Sequence, residues 1–175
     1  SGVPLKVLVQ VTDLLEEGVL GAGHLAFGVR ASRLASATMS LDDVFVLQSV
    51  AANLLQMRGR IERGLRYAGP ALFSVYAPAD GGVLPGYLLA AAAMQSRAFP
   101  AFTYDPAAGP DLAARFSLEN NPQPGLDWPI ERFRYADQDL QAITEEVAFT
   151  FADFAMCDPR HARHFELVPR AAWSE

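Results

Sequence analysis

The feature that most narrows the possible folds is a set of short, nearly unbroken apolar runs. They read VPLKVLVQV at residues 3–11, ALFSVYA at 71–77 and FPAFTY at 99–104. Strands covered on both faces have this character, because neither face needs polar residues, and such strands build parallel sheets flanked by helices. Residues 85–94 read as a helix whose alanines at 90–93 permit close approach of another element. Ser40 opens a longer predicted helix, with SLDD at 40–43 as a near capping box. Val44, Leu47, Val50, Leu54, Met57, Ile61 and Leu65 recur at gaps of three and four and predict one buried stripe. Gly69-Pro70 ends that helix. Strand, helix, strand, helix, strand predicts an α/β fold with a parallel or mostly parallel sheet flanked by helices.

The rest of the chain departs from this rhythm. Residues 12–39 hold glycines at 18, 21 and 23 and no clean period, which predicts a mobile or tightly turned segment. Residues 105–129 carry five prolines and predict a long ordered excursion anchored by Phe116, Leu118 and Trp128. Residues 130–135 alternate as an edge strand would, and a second strand or a short helix follows the turn at 137–139. FTFADFAM at 149–156 predicts a helix packed by Phe149, Phe151 and Phe154 with Thr150 as its cap. The organisation is therefore a single α/β domain or domain fragment: core 3–104, Pro-rich excursion 105–129, C-terminal extension 130–175.

Composition excludes several function classes. Half of the 175 residues are hydrophobic (51%) and 19% are charged, against about 25% in an average chain. The formal net charge is −6, and Lys6 is the sole lysine, so nucleic acid is not expected as a partner. Cys157 stands alone, which excludes an internal disulfide and a cysteine-held iron–sulfur cluster within this chain. No apolar run reaches membrane-span length, and no signal peptide is visible, so the expectation is a cytoplasmic protein without a membrane partner. Ser1-Gly2 reads as the remnant of a cleaved tag.

Ligands of open α/β sheets bind beyond the carboxyl ends of the strands. Here those ends carry Thr12-Asp13, Pro78 to Asp80, and Tyr104-Asp105. Asp13 and Asp80 are placed there for a metal or a ligand hydroxyl, although Asp80-Gly-Gly is also an ordinary turn signal. GVLGAG at 18–23 resembles a phosphate-cradling loop without its full glycine or Lys-Ser/Thr set, and reads chiefly as a turn. His24, in the same segment, offers an imidazole for an anion or a proton. His161 and His164 are spaced as neighbours on a helix but lack a third zinc ligand at fixed spacing. The arginines at 58, 60, 63 and 66 read as a solvated helix face, with anion binding as the other reading.

Several segments carry a family resemblance. VPLKVLV (3–9) is similar to a strand in the thiamine-diphosphate domain of pyruvate:ferredoxin (flavodoxin) oxidoreductases. LDDVFVLQSVAAN (41–53) resembles the helix after that family's metal loop region, and GPALFSVYAP (69–78) its Pro-Gly-Pro-Ser strand. SRAFPAFTYDP (96–106) and Asn120-Asn121-Pro122 resemble the segments that follow, in the same order. The resemblance covers about residues 3–125 and implies a thiamine-diphosphate-binding-like fold. It implies thiamine diphosphate and Mg²⁺ as cofactors of the complete enzyme, with Thr12, Asp13 and His24 toward the cofactor and Asp13 toward the metal. It implies a part of a 2-oxo acid:ferredoxin or flavodoxin oxidoreductase, with other domains or subunits as direct partners and ferredoxin or flavodoxin as indirect ones. The family's Gly-Asp-Gly motif would precede the first strand, and its Asn-Thr-Gly-Gly loop is replaced here by TDLLEEGVLGAG (12–23). Three readings stand: one side of a working cofactor domain, a catalytically degenerate relative that serves assembly or protein interaction, or an α/β binding domain unrelated to that family.

Overall fold

A computed structural model describes residues 4–20, 24–79, 84–166 and 168–169. Its centre is a mixed five-stranded sheet flanked by helices. β1 (Lys6–Val11) pairs in parallel with β5 (Ala71–Tyr76), and β5 in parallel with β4 (Phe45–Val50). On the far side β6 (Phe102–Tyr104) runs antiparallel to β4, and β7 (Phe116–Ser117) antiparallel to β6, giving the order β1-β5-β4-β6-β7. A hairpin of β2 (Leu15–Leu20) and β3 (His24–Val29) follows β1 and leads into α1 (Arg30–Met39). The predicted turned segment is thus regular structure over most of its length.

From β1 through α1 the chain steps past the place of β5 to lay down β4. It then returns through α2 (Arg58–Arg66) to insert β5 between them. Right-handed crossovers that reverse direction put their helices on opposite faces of the sheet. The core shows this. Val46 and Leu72 pack with Ala35 of α1 on one face; Phe45, Leu47 and Phe73 pack with Met57 and Ile61 on the other.

The predicted helix from Ser40 survives only in its last part, as α2. Residues 45–50 form the central strand, and all six are buried. The spacing of three and four selected a subset of a continuous apolar segment. Because β4 is covered on both faces, all its positions are buried and no helical stripe is implied. Ser40 closes α1 by donating its hydroxyl to Ala37 O at 2.6 Å, and Asp42 takes φ 62°, which no first helical turn allows. A 3₁₀ turn (Ala51–Asn53) separates the strand from α2. The segment likened to a family helix is likewise strand for half its length.

The parallel expectation for the third run is also corrected. α3 (Gly86–Gln95) does not carry the chain back along the sheet. Its Ala90 and Ala93 pack with Val50 and Tyr76, at the carboxyl ends of β4 and β5. Arg97 then turns the chain at φ 61°, and Phe99 N bonds back to Ala93 O at 2.9 Å. The chain re-enters the sheet from the end where β4 finishes, so β6 runs against it.

The excursion contains α4 (Leu112–Arg115) and β7, and it is pinned mainly by polar groups. Arg97 donates to the carbonyls of Pro122, Gln123, Leu126 and Asp127 at 2.7–3.2 Å. Buried Asn121 accepts from Ala101 N at 2.8 Å and donates to Ala101 O and Leu118 O. Trp128 Nε1 donates to Ser96 O at 3.1 Å, and Phe116 lies 5.5 Å from Phe102. Leu118, also expected as an anchor, is 40% exposed, as is Trp128. β8 (Ile130–Ala136) and β9 (Ala142–Ala148) form an antiparallel hairpin without one buried residue. α5 (Phe151–Met156) follows, with Asp153 accepting from both the amide and the hydroxyl of Thr150. α6 (Pro159–Ala162) comes last, with Asp158 as its cap and Pro159 in its first turn.

β1 reads as an interior strand and lies at an edge. α2 covers β4 and β5 but stops short of β1. Leu8 stands beside Phe73 at 71% exposure, and Leu5 is 58% exposed. A cavity of about 250 Å³ opens there, lined by Leu8, Leu47, Leu54, Ile61, Leu65 and Phe73 among others. Among the described residues no helix is long and apolar enough to cross a membrane.

Candidate functional site

The carboxyl ends of β1 and β5 bring Thr12, Asp13 and Tyr76 to one end of the sheet. The chain's own C-terminal helices cover this end. Phe154 and Ala155 of α5 are buried against Val11, Leu14, Leu15 and Tyr76, so apolar burial holds α5 and α6 over the strand ends.

That docking delivers Arg160 to Asp13. Its Nη1 donates to Oδ2 at 2.8 Å and its Nη2 to Oδ1 at 2.9 Å, a two-pronged pairing across 147 positions of sequence. Arg160 also grips Asp158, with Nη2 on Oδ2 at 2.6 Å and Nε on both oxygens at 3.0 and 3.1 Å. Asp13 Oδ1 accepts a further bond from Leu15 N at 3.2 Å, which turns the chain into β2. Hydrogen bonding to Arg160 holds both carboxyls below the usual carboxylate range, and the two carboxylates push the guanidinium pKa upward. Beneath the cluster Tyr76 is buried. Burial, then the charges of Asp13 and Asp158, push its phenol up to about 12.

The other expected site residues do not join this cluster through a described contact. Thr12 is exposed beside Asp13. His24 opens β3 in register with Leu20, and its side chain lies outside the described residues, as does Asp80. His161 is buried and His164 is exposed. Cys157 donates to Asp153 O at 3.3 Å, and burial, then Asp153, raises its thiol pKa. Three of the four α2 arginines reach carboxylates at 2.7–3.0 Å: Arg58 meets Glu62, Arg60 meets Glu119, and Arg63 meets the largely buried Asp105. Two of these pairs clip the excursion to α2.

Mg²⁺ demands a near-octahedral set of oxygens. Asp13 offers oxygens already engaged by two guanidinium nitrogens and an amide. The adjoining cavity of about 280 Å³ is lined by Leu15, Arg160, His161 and Arg163, with no carboxylate among them. Among the described residues no three His, Cys, Asp or Glu side chains group as a metal site. These residues do not fit a Mg²⁺–diphosphate. Arg160, Asp158 and Tyr76 are the members of the cluster that sequence reasoning missed. Asp158-Pro159 signals a helix start, but no local pattern links Arg160 to Asp13.

No protein-family model matches the chain, and no curated protein matches it either.

Proposed function

We propose that this chain is a structural part of the cofactor domain of a thiamine-diphosphate-dependent 2-oxo acid:ferredoxin or flavodoxin oxidoreductase, and that its work is assembly. In this reading other polypeptide supplies the metal and diphosphate ligands and completes the sheet along β1. One observation carries it: β1 has the composition of a buried parallel strand, yet its outer edge and Leu8 are open beside an apolar cavity. Open edges of this kind accept a further strand. The identity of the larger protein rests on the resemblance of residues 3–125. The mismatch between Asp13 and Mg²⁺ favours the assembly role over direct cofactor binding.

The test uses the natural polypeptide or complex that contains this chain. It is expected to reduce a viologen dye when given a 2-oxo acid, coenzyme A, thiamine diphosphate and Mg²⁺. Leu8→Asp in that protein is expected to abolish both assembly and dye reduction. An intact protein inert toward 2-oxo acids removes the oxidoreductase reading. Unchanged assembly with Leu8→Asp removes the structural one.

A further inference from the structure

We infer that Arg160 is the built-in cation of this sheet end: its guanidinium takes the place of a divalent ion at Asp13 and closes that carboxylate to metal. The inference does not depend on which larger protein contains the chain.

Three observations combine. Arg160 lies between two carboxylates, as a bridging ion would, and makes hydrogen bonds to all four of their oxygens within 3.1 Å. Its backbone is fixed from the N-terminal side. Asp158 Oδ1 accepts Arg160 N at 2.9 Å as the cap of α6, and α5 is buried in the core just before it. The charge is also needed. Without it Asp13 and Asp158 would lose the guanidinium that both carboxylates share above buried Tyr76.

Isolated surface ion pairs contribute little, and this one is half exposed, with Asp13 at 52% and Arg160 at 56%. Two-pronged geometry within a network of charges is where such pairs do contribute. A divalent ion entering the wild-type cluster would meet a guanidinium that cannot lose its proton. The arrangement therefore excludes metal by charge as well as by filling the donor oxygens.

The experiment is Mn²⁺ titration of the full chain, read by electron paramagnetic resonance of free Mn²⁺ and by thermal melting. Wild type is expected to take up no Mn²⁺ and to melt at the same temperature with or without it. Arg160→Ala is expected to lower Tm by roughly 3 °C and to regain that loss in Mn²⁺, with about one ion bound. Asp13→Asn in the Arg160→Ala background is expected to lose the rescue. Arg160→Gln, which keeps the stem without the charge, serves in the same way if the alanine variant does not fold. Stoichiometric Mn²⁺ uptake by wild type that Asp13→Asn abolishes would overturn the inference. So would a charge-removing variant that Mn²⁺ neither binds nor restores.

Discussion

Gly64 of α2 lies directly against Phe45 of β4. A Cβ placed on Gly64 would come within 3.0 Å of two atoms of the Phe45 ring and 2.9 Å from the tip of Phe73. The missing side chain lets helix and sheet meet. Gly64→Ala is expected to destabilise the chain by ~1–3 kcal/mol through overpacking. Gly59, on the same helix with nothing within 4 Å of its Cβ position, is the control. Gly59→Ala is expected to stabilise by about 0.5–1 kcal/mol through backbone entropy. Urea melts of the two variants should move in opposite directions.

Acid should weaken the latch over the strand ends. Asp13 and Asp158 are held below their ordinary pKa by hydrogen bonds from Arg160. Their contribution is fully present above the unfolded carboxylate value of about 3.9 and is lost as pH falls through the lower folded values. Solvent screening limits the half-exposed Asp13 pair to ~1 kcal/mol or less. Asp13→Asn should flatten stability against pH below about 4 and leave it nearly unchanged in shape near neutrality.

Tyr76 governs the alkaline side. Its folded pKa is raised to about 12, first by burial and then by Asp13 and Asp158. The neutral phenol's contribution is complete below the ordinary value of about 10 and disappears as pH rises toward the folded one. Burial also raises the Tyr67 phenol, by less, so ultraviolet difference spectra should show the last phenolate near 12 or together with unfolding. Tyr76→Phe should remove that late component.

The excursion depends on a few polar anchors. Asn121→Ala leaves the amide and carbonyl of Ala101 without their partners and is expected to cost ~2–3 kcal/mol. Arg97→Lys keeps the charge but cannot reach four carbonyls with a planar group. Hydrogen exchange across residues 118–128 should quicken in both variants, more than in α2 or β4.

Cys157 should be a slow nucleophile. Burial and Asp153 raise its pKa, and its thiol is engaged with Asp153 O. At neutral pH a thiol-specific reagent should label it far more slowly in the folded chain than in urea. Equal rates would contradict the packing of α5.

Strands β1 and β5 and helix α3 were legible because local composition and short-range punctuation define them. Thr150 and the aromatic run after it likewise announced α5. The segment 40–66 was not legible from periodicity. A strand buried on both faces leaves no alternation, and its apolar residues mimic a helical stripe wherever gaps of three and four can be chosen. The direction of β6 depended on where α3 packs, a tertiary fact. At the candidate site Asp13 was visible as a strand-end carboxylate. Its partner was not, because contact between residues 13 and 160 exists only once α5 is buried on Tyr76.

Lys6 has a consequence for how this chain is made. Charged side chains on an open edge strand usually keep sheets from joining one another. Here the sole lysine turns inward, donating to Tyr67 O and Gly69 O at 2.5 and 2.8 Å with its charge over the Tyr67 ring. Lys6 is the one charged residue within β1, so the strand itself brings no outward charge to its open edge. An edge of this kind is a template for pairing with another copy of the same strand. The yield of this chain produced alone should therefore fall with its concentration during folding, whatever the stability of the folded form.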